Sequence, residues 1–154
     1  MVSGSSVRFE FNDVHFDGEM RTKWDGLLRI VGDFALWVGD LNIYQEEEFC
    51  LVEFAVVLAN WLTVATDFGP NFDYTSMESE TQGLVRFTVL RPGVWRVSAA
   101  HQNQEAVGSV AAADLRGAAW NYLRRLRDQL LPGIEILQYV KDAKVRRELA
   151  SALG

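Results

Sequence analysis

Carboxylates are the residues whose type and spacing come nearest to chemistry. Asp67, Asp73, Glu78 and Glu80 fall in one stretch, and glycosidases and metal-dependent nucleases work through carboxylates that converge in space. Glu78 and Glu80 are two residues apart, so an extended segment places them on one face. No lysine or histidine accompanies them between Asp67 and Glu80, and a solvated strand face explains them equally well. The single cysteine, Cys50, follows Glu46, Glu47 and Glu48. Their charge would hold a thiol protonated, so a packed, unreactive cysteine is expected. His15 and His101 fall on different segments, and neither stands at metal-ligand spacing from a cysteine or another histidine. With no HExxH and one Cys, no metal and no other cofactor are expected. His101, followed by Gln102, Asn103 and Gln104, would suit an acid or base at the end of a sheet.

Other catalytic signatures are absent. There is neither GxGxxG nor GxxxxGK[ST], and no GxSxG elbow. The basic residues Arg116, Arg124, Arg125, Lys141, Lys144, Arg146 and Arg147 sit late in the chain, where a solvated helix face accounts for them. The residues therefore assign no catalytic group, and a non-enzymatic protein is the expectation.

The elements that would position these residues follow from periodicity. Val7 to Phe16 reads as a strand, with Phe9 and Phe11 on one face and the apolar phase switching at Val14 and Phe16, which calls for a bulge near Asn12-Asp13. Leu27 to Val31 and Phe34 to Val38 read as two strands about a Gly32-Asp33 turn. Gly39-Asp40 offers a second turn before a short segment, Leu41 to Tyr44. The spacing of Leu51, Phe54, Ala55, Leu58, Trp61, Leu62 and Ala65 predicts a helix over about Glu47 to Ala65, with Glu46, Glu47 and Glu48 at the positive end of its dipole. Val52, Val56, Val57 and Ala59 make that helix apolar nearly all round, as for one buried on more than one side.

Three further strands follow over Asp73 to Glu80, Leu84 to Leu90 and Val94 to Ala100, with a turn at Arg91-Pro92-Gly93. A second helix runs over about Ala112 to Leu131, ended by Pro132-Gly133, and a third over Glu135 to about Ala150. The expected fold is α+β: an antiparallel sheet of about six strands, two main helices on one face in the order strands-helix-strands-helix, and a C-terminal helix. The expected organisation is a disordered N-terminus over 1–6, one domain over 7–131 and a helical extension over 132–154.

Charge is divided along the chain. Residues 1–110 carry 7 basic and 16 acidic side chains; residues 111–154 carry 8 and 5, for a formal net charge of -6 over 154 residues. An acidic main body argues against direct nucleic-acid contact and fits a basic protein partner. No apolar run approaches the ~18 residues a membrane helix needs. The opening MVSGSSVRFEF lacks the basic and apolar regions of a secretory signal, so a cytoplasmic location is expected.

The run Glu48-Phe49-Cys50-Leu51-Val52-Glu53-Phe54-Ala55 ending in Trp61-Leu62, then Phe72-Asp73-Tyr74-Thr75-Ser76-Met77-Glu78, then the Phe87…Trp95-Arg96-Val97 hairpin, resembles small bacterial domains of unknown function. Those domains are similar in style to immunity proteins of polymorphic toxin and contact-dependent inhibition systems. The resemblance implies a cytoplasmic protein that neutralises a toxin by binding it. Immunity families share no motif, so it transfers no functional residue.

Two acidic, aromatic-bearing segments are the expected contact surface: Asp40 with Glu46, Glu47 and Glu48, and Asp67, Phe68, Asp73, Tyr74, Glu78 and Glu80. Aromatics supply contact area, and carboxylates steer a basic partner. Two other readings stay open. One is a small-molecule binder or hydrolase with its site near Asp73, Glu78 and His101. The other is an adaptor or an oligomeric structural subunit, a homodimer included.

Overall fold

A computed structural model describes residues 6–19, 21–76, 84–100, 109–130 and 135–153. The element order is β1 (Val7–Phe16), α1 (Lys23–Leu28), β2 (Ile30–Val38), β3 (Leu41–Cys50), α2 (Leu51–Val64), β4 (Phe72–Tyr74), β5 (Val85–Arg91), β6 (Val94–Ala99), β7 (Val110–Ala111), α3 (Ala112–Gln129), a 3-10 turn (Ile136–Tyr139) and α4 (Ala143–Leu153). The fold is α+β, as expected, but the strands form two antiparallel sheets instead of one of six. One sheet has the order β1-β2-β3, the other β4-β5-β6-β7. Alternation tells which face of a strand is apolar, not which edges meet, and among the described residues no strand of one sheet pairs with a strand of the other.

Helix α2 packs against both sheets. Phe54, fully buried, meets Phe9 and Phe34 from the first sheet and Phe72 and Tyr74 from the second, with ring centroids 5.1–6.0 Å apart. This is why α2 is apolar nearly all round: it has protein on more than one side. Stacked pairs Phe34–Phe49 at 4.1 Å and Phe72–Phe87 at 4.4 Å extend the aromatic core into each sheet. Helix α3 closes the core from the other side, where the Tyr122 hydroxyl donates to the Leu51 carbonyl at 2.8 Å. Ile136, Tyr139, Val140, Leu149 and Leu153 belong to the same core cluster, so the C-terminal segment is seated on the body of the fold.

Three local readings need correction. Gly32-Asp33 is not a turn. Residues Lys23–Leu28 form α1, and β2 runs unbroken from Ile30 to Val38. Glycine stands at position 32 because a Cβ there would lie 2.6 Å from the Asn12 carbonyl oxygen and 3.0 Å from Leu51 Cδ1; it marks a close backbone approach. Secondly, the helix does not start at Glu47. Strand β3 continues to Cys50, so Glu46, Glu47 and Glu48 lie on a strand, and the carboxylate in the first turn of α2 is Glu53. Thirdly, the predicted C-terminal helix is split. The 3-10 turn comes first, and α4 begins after Asp142, whose Oδ1 accepts from the backbone N–H of Lys144 at 2.8 Å. The strand expected over Asp73 to Glu80 is described only as Phe72–Tyr74, and residues 77–83 lie outside the described residues. The irregularity near Asn12-Asp13 is present, and so are the turns at Gly39-Asp40 and Pro92-Gly93.

Candidate functional site

The central strand of the first sheet is flanked by two bulges at the same level. On one side the pairing shifts between Asn12 and His15, with Asp13 at φ 57°. On the other it jumps from Gly32↔Phe49 to Phe34↔Glu46, with Glu48 at φ 55°. Asp13 and Glu48 are the two positive-φ non-glycine residues among those described. A left-handed backbone costs an L-residue roughly 1–2 kcal/mol. Two such residues flanking one point in the sheet locate an arrangement that the surrounding structure over-determines.

Both converge on His15. Its Nδ1 is 2.7 Å from the Asp13 carbonyl oxygen, and its Nε2 is 3.1 Å from Glu48 Oε1. With an acceptor at each ring nitrogen, the doubly protonated ring satisfies both. The Asp13 backbone hydrogen bond first, then the Glu48 and Asp13 carboxylates, raise the His15 pKa from 6.5. Around this clasp the second bulge leaves Gln45, Glu46, Glu47 and Glu48 consecutively exposed before Phe49 and Cys50 turn inward. Strand β3 is an edge of its sheet, so these carboxylates line an outer rim.

Behind the rim is a cavity of about 290 Å³ lined by Glu46, Glu47, Glu48, Phe49, Cys50, Tyr74, Ser76 and Leu84. Tyr74, Cys50 and Ser76 on its wall are buried. The Tyr74 hydroxyl donates to Glu53 Oε1 at 2.9 Å, and the Ser76 hydroxyl lies 3.8 Å from Cys50 Sγ. Burial first, and then the Glu53 carboxylate, push the Tyr74 phenol well above its ordinary pKa. The phenol therefore stays protonated and serves as a donor. Burial and the nearby Glu46 carboxylate do the same to Tyr44.

The other expected contact residues are dispersed. Asp40 is exposed at the β2–β3 turn. Asp67 and Phe68 follow the C-terminal end of α2, about 20 Å of helix from the Glu46–Glu48 rim. Asp67 pairs with Arg116 at 3.3 Å, and Phe68 is 75% exposed. Asp73 pairs with Arg86 at 3.1 Å on the sheet surface. Tyr74 is fully buried and offers a partner no surface. Glu78, Glu80 and His101 lie outside the described residues, so of the small-molecule reading near Asp73, Glu78 and His101 only the exposed Asp73 is described.

Sequence reasoning passed over Asp13, His15 and Glu53. The apolar phase switch marks the bulge that holds Asp13 and His15. Their meeting with Glu48 depends on which strands flank β2, and no local pattern carries that. Glu53 had a signal: one carboxylate inside an otherwise apolar helix. Among the described residues no group of three or more His, Cys, Asp or Glu is placed to hold a metal, and no helix is long and apolar enough to cross a membrane.

These features define an α+β domain of two antiparallel sheets about a buried central helix, with an acidic, doubly bulged edge. The chain belongs to a family of domains of unknown function (DUF7878), which matches residues 7–132. No curated protein and no solved structure matches the chain.

Proposed function

We propose that this protein is a non-enzymatic binding domain that engages a basic protein through the bulged edge of β3. The observation that carries the reading is the run Gln45–Glu48: four consecutive exposed residues, three of them carboxylates, on a sheet edge, with Glu48 held by His15 at 3.1 Å. An ordinary strand shows every second side chain to each face; the bulge turns this segment into a continuous acidic rim. Exposed carboxylates of one sign accelerate encounter with a basic partner and disfavour an acidic one. Asp40, at the β2–β3 turn, lies at the opposite end of the strand from this rim. Asp67 and Phe68 lie beyond the far end of α2, and Asp73 pairs with Arg86 on the second sheet, so none of the three belongs to the rim.

A toxin domain that acts on nucleic acid is a protein of the required chemistry, since it is basic where it meets phosphate, and an acidic rim can occupy that surface. Neutralisation of such a toxin, as immunity proteins perform it, is the biological form of this proposal. It places the protein in the cytoplasm, without cofactor and without direct nucleic-acid contact.

The test is affinity capture from the source cells with the parent protein and with Glu46→Lys/Glu47→Lys in parallel, followed by identification of the bound protein. A basic protein held by the parent, lost by the variant and encoded beside this gene supports the reading. Equal retention by both proteins contradicts it.

A further inference from the structure

His15 stands between two acceptors that do not respond alike to its proton. On the Nδ1 side is the Asp13 carbonyl oxygen at 2.7 Å, and a carbonyl oxygen only accepts, so Nδ1 carries a hydrogen in either charge state of the ring. On the Nε2 side is Glu48 Oε1 at 3.1 Å, reached across β2 from the other bulge. The charged ring donates from both nitrogens. The neutral ring has one N–H, and Nδ1 keeps it. Nε2 is then a bare lone pair facing a carboxylate, two acceptors with no hydrogen between them. Loss of one proton therefore breaks the Glu48 contact and spares the Asp13 carbonyl. The other charged groups around the ring stand apart. On its own strand the Asp13 carboxylate is 3.9 Å from Nδ1. Strand β2 sets Val31 opposite His15, and its one charged residue, Asp33, lies opposite Asn12. On β3, Glu47 is exposed beside Glu48. Helix α3 brings Arg125 to β1 at the Phe9 carbonyl, and Arg29, after α1, is paired with Asp25 at 3.1 Å.

We infer that His15 is a proton gate on the acidic rim: its charged form holds Glu48 and cancels that carboxylate, and its neutral form releases Glu48 as the third negative charge of the run Gln45–Glu48. The inference rests on the rim being the contact surface for a basic protein, and it names how that surface is regulated. The gate can work without unfolding, because the His15 and Glu48 side chains are 38% and 58% exposed. Release has somewhere to go: Glu48 sits at φ 55° in the bulge, a conformation that neighbouring contacts must hold. The Asp13 backbone hydrogen bond and the two carboxylates raise the proton affinity of the ring, so the change falls above pH 6.5. Below the folded pKa the rim then presents two uncompensated carboxylates, Glu46 and Glu47, and above it three. A basic partner is bound more tightly as pH rises through that value and is released as pH falls. By linkage, a basic partner seated on the rim drives the proton off His15.

The test needs no natural partner. In the free, isotope-labelled protein, the His15 ring nitrogens and the Glu48 carboxyl carbon are followed by NMR from about pH 5.5 to about pH 8.5, a range that brackets the ordinary histidine value. The expected result is a neutral ring with its hydrogen on Nδ1, and a Glu48 signal that moves with the His15 midpoint. A neutral ring with its hydrogen on Nε2, or a Glu48 signal indifferent to that midpoint, overturns the gate. The effect on binding is read with N-acetylated, amidated hexalysine at low ionic strength, because its side chains stay charged over this range. Affinity should rise about three-fold from the acid to the alkaline end, the size expected of one partly screened charge. Saturating peptide should lower the His15 pKa by the logarithm of the same factor. His15→Gln should bind the peptide with the parent's alkaline affinity at every pH, and Glu48→Gln with the parent's acid affinity. Peptide that shifts the Gln45–Glu48 amides with the same affinity at every pH overturns the gate and leaves the rim standing. An intact gate in the free protein, with no peptide shift at those amides at any pH, contradicts the rim reading and the proposed regulation of binding with it.

Discussion

His15 is where the proposed surface can be read most sharply. The Asp13 carbonyl and the Glu48 carboxylate favour its charged form, so its pKa in the folded protein lies above 6.5. A group whose folded pKa is raised stabilises the fold fully below its unfolded pKa and loses that contribution as pH rises through the folded value. The clasp is therefore closed below about pH 6.5 and loosens above the folded pKa. An NMR titration should place His15 above 6.5, and Glu48→Gln should lower it; a pKa at or below 6.5 in the parent would show that the clasp is not formed. Tyr74→Phe tests the other buried pair. It leaves the Glu53 carboxylate without its hydroxyl donor and should destabilise by roughly 1–3 kcal/mol in chemical denaturation. A variant as stable as the parent would mean that the bond contributes nothing.

At the scale of elements, the bulges are the device that turns a strand into a surface. Glu48 sits at φ 55°, a conformation that glycine adopts without a Cβ penalty. Glu48→Gly should therefore melt at or above the parent temperature while losing the His15 contact and binding the partner more weakly. A clear drop in melting temperature would show that the glutamate serves the fold. Gly32→Ala probes the same region from within. Its Cβ would press on backbone at 2.6 Å, and overpacking of this kind costs roughly 1–3 kcal/mol. Strand β1, helices α2 and α3 and the β5–β6 hairpin were legible because each carries its own periodicity. The phase switch at Val14 even showed the first bulge. The second was hidden, because Gln45-Glu46-Glu47-Glu48 is a polar run with no alternation, and it reads as a loop feeding a helix. Gly32-Asp33 misled for a related reason: glycine serves a tight turn and a close approach equally, and only the neighbouring strand distinguishes them. For the candidate site, the sequence displayed the acidic residues but not their grouping, since Glu48 meets His15 across β2 and Asp67 lies a helix length away.

For the whole molecule, the buried helix α2 connects the acidic rim to the core. Its N-terminal end follows the rim, and Glu53 accepts from the Tyr74 hydroxyl behind it. Trp61, whose indole N–H donates to the Pro70 carbonyl at 2.8 Å, packs edge-on against Trp95 and Phe87. Trp61→Ala should cost about 3–5 kcal/mol, and a variant that melts with the parent would contradict the packing of α2. Charge is distributed to match: the acidic excess lies in residues 1–110 and the basic excess in 111–154. Association through a rim of one sign must be fast and sensitive to salt, whereas an apolar interface is neither. The decisive measurement is the association rate constant of the captured partner, taken across ionic strength for the parent and for Glu46→Lys/Glu47→Lys. The expected result is a steep fall with salt in the parent and a slower, nearly salt-independent rate in the variant. Rates that coincide at low salt, or a parent rate indifferent to salt, would contradict binding through the acidic edge.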